Sequence, residues 1–99
     1  MADSYSFVAP LWEWQAKASW FFVNLPEPAA DDIEERFGRR AGGFGSVRVD
    51  VTVGDTNWQT SIFPSTEHET YILPVKKTVR TAEGLTPGTT VAIALTVLA

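Results

Sequence analysis

The sequence predicts an all-β domain, a barrel or sandwich of about six short strands with two short helices set between them. Three observations carry this. Six β-rich runs fall within 99 residues. Two of them, residues 46–53 and 90–97, alternate apolar and polar side chains with the period of two that a half-buried strand requires. The chain also leaves no room for the repeated crossover helices that a parallel sheet needs.

Residues 5–14 are aromatic-rich and extended, with Phe7, Ala9 and Leu11 on one face. Residues 20–25 (WFFVNL) form a continuous apolar run, as expected of a strand buried on both sides. Pro26 and Pro28 then stop any ladder. A first helix is expected over residues 31–37. Asp31 and Glu34 have capping-box spacing, Asp32, Glu34 and Glu35 suit the opening turns, and Arg36 suits the end. Ile33 and Phe37 supply its buried stripe and Gly38 ends it.

In the run 46–53, Val47, Val49, Val51 and Val53 point one way while Arg48, Asp50 and Thr52 point the other. Gly54-Asp55-Thr56-Asn57 reads as a hairpin connection into a strand over 58–64. Residues 71–73 form a short strand. A second helix is expected over 75–83, after Pro74 and closed by Gly84. Thr78, Val79 and Thr81 are weak helix formers, so packing of Val75, Val79 and Ala82 must hold it. In the last run, Val91, Ile93, Leu95 and Val97 oppose Ala92, Ala94 and Thr96. No internal repeat, linker or low-complexity tract divides the chain, so residues 1–99 are expected to form one domain around one core.

Composition narrows the chemistry. The absence of cysteine excludes disulfides, thiol catalysis and thiolate metal sites, and fits a reducing cytoplasm. The opening MADSYSF lacks the basic stretch and apolar core of a secretory signal. No apolar run approaches the roughly 20 residues that span a bilayer. A cytoplasmic location is therefore expected. Eight Lys and Arg against twelve Asp and Glu give a net charge of −4. The acids crowd into residues 1–35 and most of the bases into residues 36–80. An acidic chain is a poor non-specific nucleic-acid binder, although a local basic face is still available.

Catalytic constellations are sparse. His68 is the single imidazole, in the polar run Ser65-Thr66-Glu67-His68-Glu69-Thr70. A Ser–His–acid relay would draw on it, but no nucleophile-elbow pattern accompanies it, and a surface loop is the simpler expectation. Consecutive Glu67, His68 and Glu69 splay apart in extended chain, a weak metal signal. Asp31, Asp32, Glu34 and Glu35 are what a helix start prefers. Gly42-Gly43-Phe44-Gly45-Ser46, after Arg39 and Arg40, superficially resembles a phosphate-cradling loop. It matches neither the dinucleotide fingerprint nor the P-loop, and it leads into a strand. A helix-to-strand connection with Gly45 at a bulge or bend is expected instead. No catalytic residue, metal ligand or cofactor is expected.

The segment Pro74-Val75-Lys76-Lys77-Thr78-Val79-Arg80 is more informative. Lys76 and Lys77 sit in the first turn of the second helix, where the dipole disfavours cations by roughly 0.3–1 kcal/mol. Lys76 and Arg80, four apart, add a like-charge pair. Either surface acids such as Asp50 or Glu83 pair with them, or these cations and the backbone N–H groups receive an anion, a carboxylate-bearing ligand or a nucleic-acid phosphate. Of the four tryptophans, Trp20 and Trp58 are expected in the core. Trp12 and Trp14 share the face opposite Leu11, so a second element covers them or they line a groove or dimer interface. The candidate ligand-binding residues are Lys76, Lys77, Arg80, Arg48, Trp12 and Trp14.

Several stretches, in order, resemble a known bacterial family. They are Phe7-Val8-Ala9-Pro10-Leu11-Trp12, Trp20-Phe21-Phe22-Val23 with Leu25-Pro26, and Gly43-Phe44-Gly45-Ser46-Val47-Arg48-Val49. Trp58-Gln59-Thr60-Ser61-Ile62-Phe63-Pro64, Tyr71-Ile72-Leu73-Pro74-Val75-Lys76-Lys77-Thr78-Val79-Arg80 and Gly84-Leu85-Thr86-Pro87-Gly88 continue the match. The family is DUF1905, a domain of unknown function. The resemblance implies a small double-split β-barrel capped by short helices, and no established activity. Within it, Leu73-Pro74, Val79-Arg80, Gly84-Leu85, Gly88 and Val91 are similar to the half-repeat of swapped-hairpin transition-state regulators and antitoxins. In those proteins two chains interlace to build the barrel and bind DNA. Here one chain would supply both halves, residues 1–64 and 71–97, and the DNA-binding arginines find no clear counterpart. Likeness of fold does not carry function.

The expected protein is a non-catalytic binding or accessory domain, monomer or homodimer, recognising a small anionic ligand or a protein partner. The alternative is a nucleic-acid-binding regulator, which predicts salt-sensitive retention of DNA or RNA. Third comes an enzyme acting through arginine, lysine, Ser61, Thr60 or Tyr71.

Overall fold

The extended segment near the N-terminus is interrupted at one residue, and that interruption organises the sheet. In the computed structural model, which describes residues 3–16, 20–38 and 45–98, Leu11 is fully buried between β1 (Ser4–Pro10) and β2 (Trp12–Glu13). Its N–H donates to the Thr89 carbonyl at 2.9 Å and its carbonyl accepts from the Gly88 N–H at 2.8 Å. The single strand expected over 5–14 is thus two strands with different partners. The remaining elements are β3 (Phe21–Asn24), α1 (Glu27–Phe37), β4 (Val47–Val53), β5 (Thr56–Ser65), β6 (Thr70–Pro74), α2 (Lys77–Glu83) and β7 (Thr90–Val97).

The seven strands form one antiparallel sheet in the order β1-β7-β4-β5-β6-β3-β2. That order begins and ends on the two halves of one continuous segment. β5 is shared in the same manner: its first part pairs with β4 as far as Val47↔Ile62, and Phe63, Pro64 and Ser65 pair with β6. Two bent strands therefore carry the sheet round into a curled half-barrel with two short helices, the all-β class expected. The alternating valines explain the register. Val49 lies opposite Val97 and Val51 opposite Leu95, so the inward rows of β4 and β7 meet. With Leu11, Val23, Leu25, Ile62, Leu73 and Val75 they make a core in which no described polar residue is buried.

The β4–β5 connection is tighter than the four-residue expectation. Thr56 and Asn57 already pair with Val53 and Thr52, leaving Gly54 and Asp55 as the turn. The Asn57 amide holds this end of the ladder by donating to Asp50 Oδ2, the Val51 carbonyl and Thr52 Oγ1 at 2.9–3.1 Å. Gly54 has φ +58°, the left-handed conformation that favours glycine.

α1 starts at Glu27, four residues before Asp31, and no side chain caps it. Pro28 lies in its first turn, where a missing N–H costs nothing and a fixed φ helps. The capping box expected of Asp31 and Glu34 is not formed, because both lie inside the helix. The acidic face works sideways instead. Tyr5 Oη donates to Asp32 Oδ2 at 2.6 Å and Tyr71 Oη to Glu34 Oε1 at 2.9 Å, tying α1 to β1 and β6. Ala30, Ile33 and Phe37 bury the other face. Gly38 ends the helix in right-handed conformation, φ −57°.

Burial, and then the Glu34 carboxylate beside it, push the Tyr71 phenol up to about 12 from its usual 10.0. The fold favours the neutral phenol, so this contribution to stability is full below pH 10 and is lost as pH rises from there towards 12. Tyr71→Phe should cost about 1 kcal/mol at pH 7. Urea titrations across alkaline pH should show it losing stability less steeply than the parent; parallel declines would rule out Tyr71 as a source of the alkaline limb.

α2 is shorter than the expected 75–83. Val75 and Lys76 lie before it, with Lys76 as an extended N-cap at φ −71°, ψ 162°. Gly84 closes the helix with φ +66°, as expected of a terminal glycine. Val75 and Val79 are buried, but Ala82 is exposed. The end of this short helix is held by a polar contact instead: Thr56 Oγ1 donates to Glu83 Oε2 at 2.5 Å.

Candidate functional site

The start of β3 and the entry to α2 are strapped together by the Val75 N–H, which donates to the Phe21 carbonyl at 2.9 Å. One turn further on, Arg80 folds back over this strap. Its Nε donates to the Val75 carbonyl at 3.1 Å, and its guanidinium carbon lies 3.8 Å from the centre of the Phe21 ring. A cation over an aromatic face and fixed by a hydrogen bond is held in place by the fold itself. Beside it opens a cavity of about 330 Å³. Trp20, Phe21, Trp58, Pro74 and Val75 form its apolar wall, Gln59 and Thr60 add neutral polar groups, and Lys76, Lys77 and Arg80 form a cationic end.

Lys76, Lys77 and Arg80 thus come together, and the acids suggested as their partners are engaged elsewhere. Asp50 accepts from Asn57 and Glu83 from Thr56. Among the described residues the ion pairs are those of Arg36, with Asp3 at 3.1 Å and Asp32 at 3.5 Å; Lys76, Lys77 and Arg48 enter none. Arg48 is exposed on β4 opposite Ser61 and is not part of the cavity wall.

Trp12 and Trp14 lie away from the cavity as well, in a second aromatic group. Phe22 is only 6% exposed although it stands outside the main core. Trp12 at 5.1 Å, Trp14 at 6.4 Å and Trp20 at 6.2 Å between ring centres cover it. Trp12 Nε1 donates to Asn24 Oδ1 at 2.8 Å, and its ring packs 4.6 Å from that of His68. Packing therefore accounts for Trp12, while Trp14 stays 41% exposed.

The residue that sequence reasoning misplaced is Trp20. Expected in the core beside Trp58, it is 49% exposed, lines the cavity and also packs against Phe22. The signal was alternation within WFFVNL. Phe21, Val23 and Leu25 contribute to the main core, and Trp20, Phe22 and Asn24 occupy the intervening positions. Trp58 is buried as expected.

The remaining candidates form no constellation. Ser65 Oγ accepts from the backbone N–H of His68 at 3.3 Å, an ordinary turn contact. No group of three metal-ligating side chains occurs among the described residues. Lys17, Arg39, Arg40 and residues 42–44 of the glycine-rich connection lie outside the described residues. Gly45 within that connection has φ +79°, consistent with a bend, and a Cβ there would meet Pro64 Cγ at 3.1 Å. Among the described residues no helix is long and apolar enough to cross a membrane.

Fold and site together define a small curled-sheet domain carrying an open, aromatic-walled cavity with a cationic end. The chain belongs to the family described as Domain of unknown function (DUF1905), whose sequence model matches residues 7–95. The matched span runs from within β1 to within β7 and takes in the whole cavity wall. No curated protein matches the chain.

Proposed function

We propose that this domain is a non-catalytic binding module of the bacterial cytoplasm that takes a small anionic ligand into the cavity between β3, β5 and α2. One observation carries the proposal: among the described residues, Lys76 and Lys77 have no ion-pair partner and stand beside a preformed cavity whose wall contains no carboxylate. Cations at the start of a helix are locally unfavourable. An anion between them forms charge-assisted hydrogen bonds that offset the cost. The volume of about 330 Å³ lies at the lower end of the range for small-molecule sites, roughly 300–1,000 Å³. The cysteine-free composition suits the reducing compartment.

The test is a thermal-shift and calorimetric panel of phosphate, citrate and simple carboxylates, with the parent and Lys76→Ala/Lys77→Ala. A bound anion should raise the parent's Tm in proportion to its saturation. The double variant, whose side chains are exposed, should keep its own Tm but lose the response, and added salt should weaken the parent's response. No response to any anion would overturn the proposal. Salt-sensitive retention of DNA without a small-anion response would favour a nucleic-acid regulator instead.

A further inference from the structure

Resting on that anion-binding reading, we infer that the ligand is a flat aromatic carboxylate of one or two rings. Three features of the cavity select this class. The first is Trp20, which stands 49% exposed on the wall with Phe21 and Trp58 beside it. A half-exposed indole next to a cationic end suits a ring that packs on it while its acid group turns to the lysines.

The second is Arg80. Its Nε is engaged by the Val75 carbonyl and its guanidinium carbon lies over the Phe21 ring, so the group is held from two sides. Its two terminal nitrogens have no partner among the described residues. They offer the paired donors that match the two oxygens of a carboxylate. Lys76 and Lys77 then supply charge without a fixed geometry.

The third is the poverty of neutral polar groups. Among the described residues of the wall, Gln59 and Thr60 carry uncharged amide or hydroxyl groups, and no carboxylate is present to accept from a ligand hydroxyl. A sugar or nucleoside would lose hydration at several hydroxyls with few groups to replace it. A ring free of donors loses nothing there, and about 330 Å³ suffices for it.

Calorimetry and proton-NMR line broadening with naphthalene-2-carboxylate, cyclohexanecarboxylate and adenosine monophosphate separate the two levels of the reading. The parent should bind naphthalene-2-carboxylate at least about tenfold more tightly than cyclohexanecarboxylate. Trp20→Ala should lose most of that preference while still binding the aliphatic acid, and Trp20→Phe should keep it. Lys76→Ala/Lys77→Ala should weaken both acids. Equal affinity for the two acids, or a preference unchanged in Trp20→Ala, would overturn the aromatic class and leave the anion site standing. Tighter binding of adenosine monophosphate than of either acid would overturn it in favour of a nucleotide. Failure of all three probes beside a response to phosphate or citrate would overturn the aromatic class alone, and failure of all three with no response to those anions either would overturn the site itself. If Trp20→Ala does not fold, Trp20→Leu offers a non-aromatic wall of similar bulk, and the same loss of preference is expected.

Discussion

Ile62→Ala is expected to lower the unfolding free energy by about 2–5 kcal/mol, the range for removing most of a buried aliphatic side chain. Ile62 is 0% exposed and is the last residue of β5 to pair with β4, opposite Val47. The next residue, Phe63, has already passed to β6. The side chain therefore fills the inside of the bend where one strand serves two partners, and backbone hydrogen bonds on both sides keep the walls from closing over the space. For a domain whose total stability is of order 5–15 kcal/mol, the loss is a large fraction of the whole. Urea unfolding should show the midpoint falling with little change in slope. Ile62→Val, which removes one methyl, should cost about 0.5–1.5 kcal/mol. A loss under about 1 kcal/mol for the alanine variant would mean that the bend repacks freely.

Gly54→Ala should cost about 2–3 kcal/mol through two separable causes. Its φ of +58° is unfavourable to any residue with a Cβ, by roughly 1–2 kcal/mol. A Cβ at this position would also overlap the Glu83 carboxylate, the acceptor of the Thr56 hydroxyl. Gly84 provides the comparison. Its φ is +66°, but nothing lies within 4 Å of where its Cβ would be, so Gly84→Ala reports the backbone cost alone. The excess at Gly54 measures displacement of Glu83. Combining Gly54→Ala with Thr56→Val should give less than the sum of the separate losses, because both break the same bond. Equal costs at the two glycines would show that Glu83 moves aside freely.

Much of the sheet could be read beforehand because a buried face imposes its period on the residues. The valines of β4 and the branched residues of β7 occupy the inward positions assigned to them. What could not be read depended on distant partners. The break at Leu11 is made by Gly88 and Thr89, which meet it only in the folded chain. Pro28, read as a ladder stop, serves equally well in a first helical turn, and the acids behind it bond to Tyr5 and Tyr71 from other strands. At the site, Lys76, Lys77 and Arg80 were conspicuous for being locally unfavourable. Trp20 was hidden within a run of apolar letters, and its place beside α2 follows from the pairing of β3 with β6.

The position of β7 between β1 and β4 bears on how the molecule comes into being. Ser4 pairs with Thr96, so nearly the whole described chain must be looped before the ladder of β1 closes. The β4–β5 hairpin and β6 can assemble as they emerge from the ribosome. Until residues 90–97 follow, β1 has no ladder at all and one flank of β4 stays bare, the kind of open edge that captures stray strands. Vectorial synthesis therefore delays the joining of β1 to the rest of the sheet until β7 has followed, and these edges stay open to mispairing until then.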